Sequence, residues 1–157
     1  MRIAVLASLL LLAACGFQLQ GRQVMPAALA NVSLDAVDDQ SDFTRALRAA
    51  LKASGSRLVA RGAADAAVLR IVRDELTERV LSVDARNIPT DFELTYKVEV
   101  QVHAGERELM AAQPFELSRI YSFDERKLLA KEREKDILRE ALARDMASVV
   151  ARRLSAL

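Results

Sequence analysis

Tryptophan is absent from these 157 residues, and histidine and cysteine occur once each. One cysteine excludes an intramolecular disulfide. With His103 as its only possible soft-ligand companion, no Cys/His set of zinc spacing can be drawn, so no metal site is expected. The five glycines form no phosphate-cradling loop, and Ser118 and Ser122 stand in no nucleophile elbow. The acidic pairs Asp74-Glu75 and Asp124-Glu125 lie among arginines and lysines and read as solvated ion pairs. Catalysis therefore has no constellation to work with, and the chain reads as a non-enzyme without a cofactor. Charge of one sign is missing too: 23 basic residues face 22 acidic ones. That balance gives no reason to expect a nucleic-acid partner or adsorption to an acidic bilayer.

What the sequence does have is concentrated at its start. Met1-Arg2 is a small positive region, Ile3 to Leu12 is almost unbroken apolar, and Ala13-Ala14 are small residues directly before Cys15. The run is about half the ~20 residues that a membrane-spanning helix needs, so it reads as a targeting segment. The pattern is a lipobox. It predicts cleavage before Cys15, diacylglycerol on the thiol and an acyl group on the new amino terminus. At ~0.8 kcal/mol per buried methylene, several chains hold where one holds only weakly. Gly16 follows the cysteine; an aspartate there would argue for retention at the inner membrane, and its absence favours the outer membrane. Taking the 14-residue signal off 157 leaves 143 residues, with 22 basic and 22 acidic once Arg2 is gone. That length suits one domain. The expected division is a signal over 1–14, an acylated start and tether over 15–30, and one domain over 31–157.

Along that domain, Asn31 to Val37 alternates apolar and polar and predicts a first strand. A helix over about Asp42 to Ser54 follows, with Phe43, Ala46, Leu47, Ala50 and Leu51 at helical spacing, Ser41 or Asp42 as cap and Gly55 at the C-cap position. Arg57-Leu58-Val59 is a brief strand or loop. From Val68 to Val83 the residues favour a long strand whose in/out phase slips near Asp74-Glu75, which predicts a bulge. Phe92, Leu94, Tyr96, Val98, Val100 and Val102 then share one face of a strand, with Glu93, Thr95, Lys97, Glu99, Gln101 and His103 on the other. A hairpin at Ala104-Gly105-Glu106-Arg107 returns the chain through Leu109, Ala111, Phe115 and Leu117. Pro114 cannot donate to a ladder and places that strand, or that end of it, at an edge. A final helix runs from about Asp124, with Leu128, Leu138, Leu142, Met146, Val149, Val150, Leu154 and Leu157 on one face. Lys131 and Lys135 interrupt that face, and must either snorkel past the sheet or end over something anionic. The sum is an α+β fold: two helices packed on one face of a curved four-stranded mixed sheet, a β-α-β-β-β-α roll.

The residues Cys15-Gly16-Phe17-Gln18-Leu19-Gln20-Gly21, Arg119-Ile120-Tyr121 with Asp124, Leu129-Ala130-Lys131-Glu132, Asp145-Met146-Ala147 and Arg152-Arg153-Leu154 together resemble the LptE family of LPS-assembly lipoproteins. The resemblance runs the length of the mature chain. It implies a two-helix, four-stranded roll that sits as a plug inside the LptD outer-membrane β-barrel, assists that barrel's assembly and binds lipopolysaccharide. It also implies a lipid-anchored place on the periplasmic side of the outer membrane. Lipopolysaccharide presents phosphates beside acyl chains, so a binder needs fixed cations next to apolar surface. Arg86, in the connection before the cleanest strand, and Lys131, in the charge-broken part of the last helix, are the first candidates, with Arg119 the third. A barrel lumen is polar and wet, and the face Glu93 to His103 together with Arg133, Glu134, Arg144 and Arg152 supplies mixed charge to meet it. The rival expectation is an auxiliary lipoprotein of a lipid-transport ABC system, acting as a periplasmic adaptor.

Overall fold

The computed structural model describes residues 24–123 and 128–157. Pro26 leads into a short 3-10 turn, Ala27–Leu29, and then come β1 (Asn31–Ala36), α1 (Asp42–Ala53), β2 (Arg57–Val59), β3 (Ala67–Val83), β4 (Pro89–Ala104), β5 (Arg107–Ser122) and α2 (Leu128–Leu154). The strands make one mixed sheet of five in the order β2-β1-β3-β4-β5. This is the expected α+β class with one strand more, because Arg57–Val59 pairs in parallel with Asn31–Ser33 at the edge. β1 is also parallel to β3, while β3, β4 and β5 form antiparallel pairs. Pro114 does lie in an edge strand, β5.

Each element follows from its local chemistry. Ser41 caps α1: its Oγ accepts from the Thr44 amide at 3.0 Å, and Gly55 takes φ +95° just past the C-cap, where a side chain would be strained. Phe43, Leu47 and Leu51 are fully buried along one face of α1. On β4, Leu94, Tyr96, Val98, Val100 and Val102 are buried, as the alternation requires. On α2 the buried row Leu142, Met146, Val150 and Leu154 runs beside a second row of small residues, Ala143, Ala147 and Ala151. Short side chains one turn apart let the helix lie close against its neighbours. Residues 24–30, read from the sequence as the end of a tether, contribute Met25 and Leu29 to the core.

The phase slip in β3 has its bulge at Val72: Ile71 pairs with Val100, and Arg73 with Glu99. Before it Leu69 and Ile71 face the helices, and after it Asp74, Leu76, Glu78 and Val80 do, opposite Val98, Tyr96, Leu94 and Phe92. Bulges in β5 act similarly: Met110, opposite Val102, is buried and Ala111 is exposed, so the inward residue is not the one simple alternation selects. Because β1 ends at Ala36, opposite Ile71, β3, β4 and β5 run on past it as a long ribbon.

Candidate functional site: the ribbon tip and the helix face above it

Chain direction fixes which groups share an end. The polypeptide enters next to the start of β3, since Val32 pairs with Ala67, and β3 carries the ribbon away from there for 17 residues. At about 3.3 Å per residue this is roughly 50 Å. At the far tip Val83 meets Pro89, β5 ends with Ser122 opposite Asp91, and α2 begins a few residues later. Arg86 in the tip turn and Lys131 in the first turns of α2 are therefore at one end of the molecule. Cys15 and the acidic pair Asp124-Glu125 lie outside the described residues.

The tip turn is organised by Asp84. Its Oδ1 accepts from the backbone amides of Arg86 at 2.8 Å and Ile88 at 3.0 Å, and its Oδ2 accepts from Arg86 Nε at 3.1 Å. The bond from the Ile88 amide is the largest cause holding the Asp84 carboxyl below its usual range. Asn87 sits at φ +63°, a conformation asparagine tolerates better than most residues. The guanidinium of Arg86 is thus aimed by a turn, while its side chain stays 66% exposed.

Lys131 pairs with Glu134 at 2.7 Å, and its side chain is only 16% exposed. One turn on, Lys135 reaches across to Glu78 of β3 at 2.5 Å. That answers the question posed by two lysines on an apolar helix face: the anion under Lys135 is the inward-facing glutamate that the bulge at Val72 put into phase. The Glu78 partnership is the first cause raising the Lys135 pKa. Burial, then the charge of Glu78, raise that of Tyr121. Around this pair the ribbon is aromatic and apolar. Phe92 stacks on Tyr121 with centroids 5.5 Å apart and meets Phe123 edge-on at 5.7 Å. Val80, Leu81 and Val83 on the ribbon and Leu129 on α2 are exposed. The tip therefore sets fixed cations beside uncovered apolar surface.

Arg119 is placed elsewhere. It lies three residues before the end of β5, opposite Leu94, and pairs with Asp145 of α2 at 2.5 Å. Asp74, read from the sequence as part of a solvated ion pair, is instead turned inward by the bulge. It accepts hydrogen bonds from the hydroxyls of Ser41 and Tyr96, the latter at 2.8 Å. The outer face of the ribbon is the mixed surface expected of it: Arg79 pairs with Glu93, Lys97 with Glu116 at 3.5 Å, and Thr77, Thr95 and Ser118 form a hydroxyl rung between them. No group of three or more metal-ligating side chains occurs among the described residues. Nor is any helix among them long and apolar enough to cross a membrane.

Comparison with known proteins agrees with this architecture. The family model for lipopolysaccharide assembly, LptE, matches residues 29–154. The LPS-assembly lipoprotein LptE of Pectobacterium atrosepticum is 27% identical over 150 residues, covering 94% of this chain and 80% of its own. Among solved structures, the rare lipoprotein B of Shewanella oneidensis superimposes with a TM-score of 0.68 at 31% identity, over 80% of this chain and 94% of its own. Lipoprotein B of Nitrosomonas europaea gives a TM-score of 0.74 at 25% identity, over 90% and 91%. A match spanning the whole described domain favours the first of the two sequence-based expectations over the ABC-system adaptor, and the chain belongs to the LptE family of lipopolysaccharide-assembly lipoproteins of the outer membrane.

Proposed function

We propose that this lipoprotein is the plug subunit of the outer-membrane lipopolysaccharide translocon. Held by acyl chains on Cys15, it occupies an LptD-like β-barrel, assists that barrel's assembly and binds lipopolysaccharide at the ribbon tip. The observation that carries the binding half of this reading is the composition of that tip. Arg86 and Lys131 stand at the same end as the exposed Val80, Leu81, Val83 and Leu129. Such an arrangement suits a molecule whose phosphates adjoin acyl chains, because guanidinium and ammonium groups bind phosphate while apolar surface takes the chains. Arg119, three residues before the end of β5, would serve as a further phosphate contact. The barrel half rests on the outer sheet face, whose charged and hydroxyl rungs match a wet, polar lumen.

Reversing both tip cations, Arg86→Asp with Lys131→Asp, should lower lipopolysaccharide recovery in a pull-down by tenfold or more, since a charge-assisted hydrogen bond contributes about 1.5–3 kcal/mol. The circular dichroism spectrum should not change, because Arg86 pairs with Asp84 within its own turn and Lys131 with Glu134 within its own helix, so neither ion pair joins two elements. Undiminished recovery by the doubly reversed protein would remove the tip from the binding site. For the partner, extraction in mild detergent should bring down a heat-modifiable β-barrel in equal amount.

A further inference from the structure

We infer that the groove between the free edge of β5 and the C-terminal half of α2 is a second seat for an alkyl phosphate group, a site distinct from the tip. This deepens the proposed lipopolysaccharide function and rests on it. The groove has a volume of about 300 Å³ and is bordered by Leu117, Ser118 and Arg119 on the strand. On the helix side the lining residues Leu142, Asp145, Val149 and Arg152 follow one another at spacings of three or four. Residues so spaced form one stripe along a helix, so this side is continuous.

The chemistry of the lining is that of an anionic amphiphile's partner. Leu142 is buried and Leu117 and Val149 are half-buried, which gives the groove an apolar floor. Two guanidiniums stand over it: Arg119, paired with Asp145, and Arg152, exposed and without an ion-pair partner among the described residues. A planar guanidinium presents paired donors to phosphate oxygens, and two of them flanking one site fit a phosphate monoester. β5 is the last strand of the sheet, so N–H and C=O groups on its outer side have no ladder partner, and the N–H groups are donors along the same wall. Asp145 is the one acidic side chain in the lining, and it is also the group an anion would displace from Arg119.

That competition supplies the test, run on the whole acylated protein in a neutral detergent with a fluorescent dodecyl phosphate followed by anisotropy. Arg152→Ala should weaken binding about tenfold, the size expected for one charge-assisted contact. Asp145→Asn should tighten it about threefold, by freeing Arg119. A residue pair that only fastened α2 to β5 would give no gain on removal of its acid. Inorganic phosphate and a neutral dodecyl maltoside should each compete at least tenfold less well than unlabelled dodecyl phosphate. The inference is overturned if Asp145→Asn leaves affinity unchanged or lower, if Arg152→Ala has no effect, if free phosphate competes as well as the alkyl phosphate, or if the wild-type protein does not bind the probe. The doubly reversed tip variant separates the two sites. Lipopolysaccharide recovery lost there while Arg152→Ala binds the probe normally condemns the groove alone, and unchanged recovery there condemns the tip and leaves the groove to stand on its own titrations.

Discussion

Asp74 is the residue on which the interior of the ribbon turns. It is a carboxylate on the helix-facing side of β3, held by hydroxyls from two other elements: Ser41, which also caps α1, and Tyr96 of β4. Strand, helix start and neighbouring strand are thereby joined through one side chain. Tyr96 is 3% exposed, and burial, then its hydrogen bond to Asp74, raises its pKa. The sign of the consequence follows from linkage. The unfolded chain would release the phenolic proton near its ordinary value of about 10 while the folded chain keeps it, so this contribution is complete below that pH and is lost as pH rises above it. Lys135, also raised by its pairing with Glu78, acts in the same direction just above its own ordinary value. Thermal melts should therefore fall steeply above about pH 10. Tyr96→Phe should cost about 1 kcal/mol at neutral pH and make the alkaline decline shallower. A mutant with the same alkaline slope as wild type would show that the phenol is not the titrating group.

At the scale of elements, what the sequence disclosed depended on whether periodicity stayed in phase. β4 was legible because its alternation is unbroken and its inward residues are large. α1 was legible because cap, stripe and terminal glycine agree. β2 was ambiguous at three residues, too short to show a period, and it pairs with β1 in parallel across the intervening α1. The inward acids were hidden by the bulge. A slip could be read near Asp74-Glu75, but its position at Val72 decides that Asp74 and Glu78, and not Glu75, face the helices, and with it the meaning of Lys135. Of the candidate cations, Arg86 and Lys131 share an end, whereas Arg119 lies on the rung of Glu78 and Leu94 and turns to Asp145 of α2; residue type pointed to all three, but their separation needed register and helix position together. The bulge can be tested by deletion. Removing Val72 leaves Ile71 opposite Val100 and Arg73 opposite Glu99 as neighbours in a regular ladder, so the cost should be within about 1 kcal/mol, the scale of a surface change. Removing Asp74 instead turns Arg73 inward over the buried Val98, which should cost several kcal/mol for an unpaired cation in the core. Urea titrations that rank the two deletions equally would show that the extra residue is not what sets the phase.

The whole molecule has polarity from end to end. Its chain enters beside the start of β3, with Met25 and Leu29 already in the core, and the cationic, apolar tip lies at the other extreme of the ribbon. On the proposed function, acyl chains on Cys15 would hold the protein at the membrane, and among the described residues the three-stranded ribbon carries the tip roughly 50 Å from the start of β3. The sheet shows one side to the helices and leaves the other to polar rungs that any enclosing wall would meet. Anchor and fold are expected to be separable, because the described core is already closed at its start by Met25 and Leu29. Cys15→Ala, made with residues 1–14 exchanged for an ordinary cleavable secretory signal, should yield a protein with unchanged melting temperature that fractionates as soluble periplasmic material, with several acyl chains no longer holding it. Its lipopolysaccharide binding in solution should remain within a factor of two of wild type, since Arg86 and Lys131 are unaltered. Lipopolysaccharide at the cell surface should nevertheless decline when this variant is the sole copy, because on the proposed function the plug would have to reach its barrel by diffusion in the periplasm and not along the membrane. A Cys15→Ala protein that stays with the outer membrane in the absence of the barrel would place the anchor elsewhere. One that lost binding in solution would mean that the acyl end and the tip are not independent.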